Sequence, residues 1–236
     1  MSKRVEVCVF SLEDAIMAAE AGADRLEVCV HYDLGGISMP EEDLKALAVR
    51  LRQMNYVNAS GKLKVAVMCR PRGGDFCYSE DEFSVLTSYA SMVAQLGFEA
   101  LVCGLLKVEN EQWVLDEAGI SSLVAICKEN QMEFVFHRAF DELKEPFAAL
   151  ESLSLLGVNR VLSGWGQRDW PMFLRLIEQA KKLDMVFLPG GGIRSHNVSD
   201  YWSAGVDFVH SAAGSIIANR FALDVQEMNA ILSSRK

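Results

Sequence analysis

Two spacings of apolar residues alternate along this chain. Short runs at 5–9, 63–68, 134–136 and 185–188 are rich in Val, Leu, Met and Phe and have the length of strands. Four more open after a repeated pattern of apolar–Gly–apolar–acidic or amide–x–apolar. The copies are Ala21-Gly22-Ala23-Asp24-Arg25-Leu26, Leu96-Gly97-Phe98-Glu99-Ala100-Leu101, Leu156-Gly157-Val158-Asn159-Arg160-Val161 and Ala204-Gly205-Val206-Asp207-Phe208-Val209. Each copy closes an amphipathic stretch, so the pattern predicts a helix stopped by Gly, a tight turn and a strand.

Between the runs, apolar residues recur at helical spacing. The segments 12–21, 40–54, 83–96, 123–130, 146–156, 171–183, 197–204 and 225–233 are predicted helices. Ser79-Glu80-Asp81-Glu82 reads as a capping box ahead of the third. Strands alternating with helices imply a parallel sheet, and eight such units imply closure as a (β/α)8 TIM-type barrel. No G-x-G-x-x-G follows the first strand, against a dinucleotide-binding sheet.

Composition narrows this further. The chain has 236 residues, half of them hydrophobic, and carries a net charge of −9. One large core fits that length, and no linker-like tract divides 1–236 into more than one domain. The acidic balance argues against nucleic acid or an anionic membrane as partner. No run reaches the roughly 18 apolar residues of a membrane span, and the first residues lack an export signal. The expected address is the cytoplasm, where six scattered cysteines without a C-x-x-C pair stay reduced. A homo-oligomer is compatible with the sequence, but nothing in it specifies one.

Strand alternation then assigns faces. Val5, Val7 and Val9 suit the helix side, leaving Glu6 and Cys8 inward; Leu26, Val28 and Val30 leave Glu27 and Cys29 inward. Aligned through the repeat, Glu27, Val102, Leu162 and His210 form one interior layer. Cys29, Gly104, Gly164 and Ala212 form the layer above, with Cys8, Arg70, His137 and Pro189 from the other strands near that level. Small residues at a barrel mouth leave a cavity, and active sites of such barrels lie at the carboxyl ends of the strands.

Several groups there carry chemistry. Glu6-Val7-Cys8 and Glu27-Val28-Cys29 place the same triplet on adjacent strands. Small core filler is the plain reading of Cys8 and Cys29, but two thiols at matched depth also suit a soft ion such as Cu(I). An inward carboxylate is costly to bury alone, so each glutamate should meet Arg, His or a ligand. Arg70, Arg72 and Asp75 lie in a Gly-rich loop after the third strand, where guanidinium forks grip carboxylate or phosphate. His137 closes the fifth strand, with Asp141 following. Gly190, Gly191 and Gly192 after the seventh strand, with His210 and Ser211 in the eighth, occupy the place where barrels often hold phosphate. An alternative to a copper protein is therefore a barrel enzyme of unknown reaction acting on a small anionic compound, phosphorylated or not. In that reading Glu27, His137 and Arg70 are catalytic, and Arg70, Arg72, Asp75, Asp141, the three glycines, His210 and Ser211 bind the anion.

Taken together, these segments resemble the CutC family of copper homeostasis proteins. The carriers are the two E-V-C triplets, Arg70 to Ser79 (RPRGGDFCYS), Phe136 to Asp141 (FHRAFD), Arg160-Val161-Leu162-Ser163, Gly190-Gly191-Gly192-Ile193 and Val209 to Gly214. They reach across the chain to about residue 214. The resemblance implies a TIM-type barrel in the cytoplasm that handles copper, with Cys8 and Cys29 as its ligands. Gly164-Trp165-Gly166 departs from the small polar turn expected after the sixth strand, and Trp165 is expected to reshape the rim.

Overall fold

The glycines of the repeat all take positive φ: Gly22 at 90°, Gly97 at 74°, Gly157 at 88° and Gly205 at 80°. Side chains with a Cβ rarely adopt that backbone, and it turns each helix sharply into the next strand. The computed structural model describes residues 3–217 and 220–235.

Eight parallel strands build the barrel: β1 (Arg4–Val9), β2 (Arg25–Val28), β3 (Leu63–Met68), β4 (Phe98–Cys103), β7 (Glu133–Phe136), β8 (Arg160–Ser163), β9 (Val186–Pro189) and β10 (Phe208–Ser211). Two antiparallel hairpins interrupt that count, β5 (Leu106–Glu109) with β6 (Gln112–Leu115), and β11 (Gly214–Ile217) with β12 (Arg220–Leu223). The strand order is β10-β1-β2-β3-β4-β7-β8-β9, and its two ends lie side by side, so the sheet nearly closes on itself.

Helices cover the outside: α1 (Leu12–Glu20), α2 (Glu41–Gln53), α3 (Glu80–Gln95), α4 (Glu117–Glu129), α5 (Pro146–Leu156), α6 (Trp165–Arg168), α7 (Trp170–Lys182), α8 (Val198–Ser203) and α9 (Val225–Ser233). Their starts follow from local chemistry. Ser79 accepts from the Glu82 N–H while Glu82 reaches back to the Ser79 N–H, the box expected from sequence. Ser11, Asp116, Asp169 and Asp224 each accept from an N–H of the first turn of α1, α4, α7 and α9. Asp116 accepts from the Gly119 N–H, so α4 starts at Glu117, six residues before the expected 123. Among the described residues no helix is long and apolar enough to cross a membrane.

The interior separates into two apolar sets. Val5, Val7, Leu26, Val28, Val65, Leu101 and Val161 pack under the helices. Cys8, Cys29, Ala66, Met68, Ala100, Val102, Val135, Leu162 and Leu188 fill the lumen. The expected alternation holds for β1, β2, β4 and β8, but β9 differs: Leu188, not Pro189, faces inward. Pairing with β8 sets this, since Leu188 lies beside Leu162 and Pro189 beside Ser163, and a one-residue offset reverses every side chain.

Candidate functional site

At the amino-terminal end the lumen is closed by charge. Arg25 Nε donates to Glu6 Oε2 at 2.5 Å and its Nη1 to Glu133 Oε2 at 2.5 Å, while Arg160 Nε donates to Glu133 Oε1 at 2.9 Å. The Arg160 guanidinium also lies 4.4 Å from the Phe208 ring centre. Burial alone would raise the Glu6 carboxyl, but Arg25 and then His210 outweigh it and hold it far below the usual range. Glu6 thus meets both an Arg and a His, as an inward carboxylate must.

One layer up, β1 pairs with β2 so that Cys8 lies beside Glu27. Cys8 Sγ stands 3.7 Å from Cys29 Sγ and 3.5 Å from Glu27 Oε1, and Cys29 Sγ is 3.5 Å from the Val9 carbonyl. His210 Nδ1 sits 2.7 Å from Glu6 Oε1 and 3.9 Å from Glu27 Oε2. The contact with Cys29, and then burial, push the Cys8 thiol well up; burial pushes up Cys29 and Glu27. Burial opposes charge on His210, yet Glu27, Cys8 and Glu6 outweigh it and lift its pKa well above the ordinary value. The layer therefore holds two thiols, a carboxyl and an imidazolium within reach of one another.

Above it opens a cavity of about 530 Å³ at the carboxyl ends of the strands. Cys8, Cys29, Glu27 and His210 form its depths, and Arg70, His137, Arg138, Gly191, Gly192 and Arg194 line its upper walls. An aromatic group edges one side: Phe10 and Tyr32 also line the cavity, and Phe221 of the second hairpin stacks on Tyr32 at 4.6 Å.

The residues singled out from sequence fall into two groups. Cys8, Cys29, Glu27, Arg70, His137, Gly191, Gly192 and His210 border the cavity; Arg72, Asp75, Asp141, Gly190 and Ser211 are not among its lining residues. Arg72 donates to Glu82, Asp75 and the Cys77 carbonyl, bracing the loop after β3. Asp141 accepts from Ser163 Oγ at 2.7 Å, from the Gly164 N–H and from Arg138 Nε at 3.0 Å, tying β8 to the turn after β7. Ser211 Oγ donates to the Ile193 carbonyl at 2.7 Å. Gly190 faces the lumen, where an added Cβ would stand 2.7 Å from Leu162 and 3.2 Å from His210. Arg70 lines the wall, but Nη1 donates to the Leu34 and Gly36 carbonyls and Nη2 to the Gly74 carbonyl. Trp165 opens α6 at the rim. Arg138 and Arg194 are the cavity cations that sequence reasoning passed over, although Arg138 directly follows His137 at a strand end.

Fold and site together define a (β/α)8 barrel with a paired-thiol, cation-walled cup at the carboxyl ends of its strands. The chain belongs to the CutC family, whose model matches residues 3–215. It is 39% identical over 198 residues to a human protein named copper homeostasis protein cutC homolog, covering 82% of this chain and 67% of that one. A CutC family protein of Citrobacter koseri is 35% identical over 215 residues, covering 89% and 80%. The fold matches a CutC crystal structure from Streptococcus agalactiae at TM-score 0.77 and 26% identity, covering 90% of this chain and 99% of that one.

Proposed function

We propose that this chain is a cytosolic copper-handling protein that takes Cu(I) as its cargo between Cys8 and Cys29. The observation carrying this reading is the 3.7 Å separation of two sulfurs on adjacent strands at the bottom of an open cavity. Metal–thiolate bonds run near 2.3 Å for zinc, so two sulfurs sharing a first-row ion of that size stand at most about 4.6 Å apart. Cys8 and Cys29 satisfy that limit without backbone movement. Thiolates are the donors that favour Cu(I), and Glu27, within the same cluster, supplies an oxygen that a soft ion does not require. Both thiols are pushed up in pKa without metal, so binding must release thiol protons. The six cysteines are free, which suits a reducing compartment, and the human relative carries copper homeostasis in its name.

Anaerobic Cu(I) titration against a competing chelator tests the reading. The wild-type chain is expected to take up one equivalent, and a Cys8→Ser, Cys29→Ser double variant to lose that uptake. Equal uptake by folded samples of both would refute it.

A further inference from the structure

His137 directly follows β7 and caps the short 3-10 turn Arg138–Glu142. Its Nδ1 accepts from the Ala139 N–H at 3.1 Å. A ring nitrogen that accepts carries no proton, so in the neutral imidazole the proton sits on Nε2. Nε2 is buried and, among the described residues, has no hydrogen-bond partner. Burial first and Arg70 second keep the ring neutral, bringing its pKa down to about 3. The ring is also held in place. Its Nδ1–Cε1 edge rests against Gly104, where an added Cβ would stand 2.4 Å from both atoms. Phe76 packs with its centroid 4.8 Å from that of the imidazole. A buried donor left without an acceptor is costly, and His137 is one of the residues that line the cavity.

The same walls are cationic in a chain of net charge −9. Arg138 is tied to Asp141 only through Nε, and its guanidinium lies beside Gly191, where an added Cβ would stand 3.6 Å from Cζ. Arg194, from the loop after β9, donates to the Ile193 and Gly214 carbonyls. Asp33 is the one lining carboxylate besides Glu27 among the described residues, and it is well exposed.

We propose that this cavity binds a small anion bearing a carbonyl group, the carbonyl oxygen accepting from His137 Nε2–H and the anionic group lying against Arg138 and Arg194. A neutral imidazole is suited to that task, because it polarises a carbonyl while keeping its proton. The Nη groups of Arg138, which make no hydrogen bond among the described residues, can pair with carboxylate or phosphate alike, while Arg194, its Nη groups on two carbonyls, adds positive charge. The site uses neither thiol, so it stands or falls separately from copper binding.

The test uses copper-free protein, both wild type and the double serine variant. Calorimetric titrations would compare pyruvate, oxaloacetate and dihydroxyacetone phosphate with lactate, malate and glycerol 3-phosphate. At least one carbonyl compound is expected to bind about tenfold tighter than its reduced counterpart, the ratio worth one good hydrogen bond. The carboxylate and phosphate arms identify the anion. His137→Asn retains an acceptor for the Ala139 N–H but loses the distal donor, so it is expected to abolish the carbonyl preference. Arg138→Ala is expected to weaken both members of a pair by a similar factor. In wild type, nitrogen-15 NMR is expected to show the Nε2–H tautomer, with its signal moving as ligand is added. No saturable binding in any arm, equal binding of carbonyl and reduced compounds, an Nδ1–H tautomer, or an undiminished preference in His137→Asn would each overturn the proposal.

Discussion

Arg25→Met is expected to lower the unfolding free energy by about 3–5 kcal/mol, the range found when one partner of a buried ion pair is removed. Arg25 bridges Glu6, whose side chain is 1% exposed, and Glu133 at 21%. Methionine fills much of the same space but donates nothing. Glu6 would keep only His210, and Glu133 only Arg160. Carboxylates buried in that state must protonate or drag water into the barrel floor. Urea unfolding of both proteins at neutral pH measures the difference. A change below about 1 kcal/mol, the scale of an exposed pair, would mean that the floor is solvated and that the lumen is not sealed from below.

The second large effect is on pH dependence. His137 has a folded pKa near 3 against an ordinary 6.5, so on acidification the unfolded chain takes up this proton first. The stability contributed by the neutral ring is complete above pH 6.5 and is lost as pH falls from 6.5 toward 3. The slope is about 1.4 kcal/mol per pH unit, or roughly 2 kcal/mol between pH 6.5 and 5. Glu27 and His210, both raised, act with the opposite sign: each favours the folded state on acidification. They are present in His137→Asn too, so subtracting the stability profile of the variant isolates His137. The variant is expected to lose about 2 kcal/mol less than wild type over that interval. Parallel profiles would show that His137 is hydrated and titrates normally.

Much of the barrel was legible in the sequence because its signals are local. Gly22, Gly97, Gly157 and Gly205 each mark a helix end that only a positive φ can make, and Ser79 with Glu82 marks a helix start. The two hairpins were not legible. Asn110 and Glu111 turn the first at φ 50° and 61°, a conformation usually announced by Asn-Gly, and the flanking four-residue strands are largely exposed. Depth in the lumen was readable where the repeat supplied a register, as for Cys29 and His210. It failed at Pro189, in a strand outside the repeat whose offset is set by its neighbour.

Charge near a strand end carried less information. Arg72, Asp75 and Asp141 have the composition of an anion site, but their bonds are made to other parts of the protein. Arg70 lines the cavity while its terminal nitrogens hold three backbone carbonyls. The Leu34 and Gly36 partners of Arg70 and the Ser163 partner of Asp141 are remote in sequence, so no local pattern reveals them, whereas Arg72 is held by Asp75 and Glu82 nearby. Arg138 and His137 are the reverse case: neighbours in sequence, both at the wall, and among the described residues one is tied by Nε alone and the other has Nε2 unpartnered.

The central claim is that Cys8 and Cys29 act as a pair on one ion. X-ray absorption at the copper edge, on wild-type protein loaded anaerobically with one equivalent of Cu(I), addresses it most directly. Two sulfur neighbours per copper are expected, and both should vanish from the spectrum of the double serine variant. A first shell of nitrogen and oxygen alone, or the same sulfur shell in the variant, would contradict it.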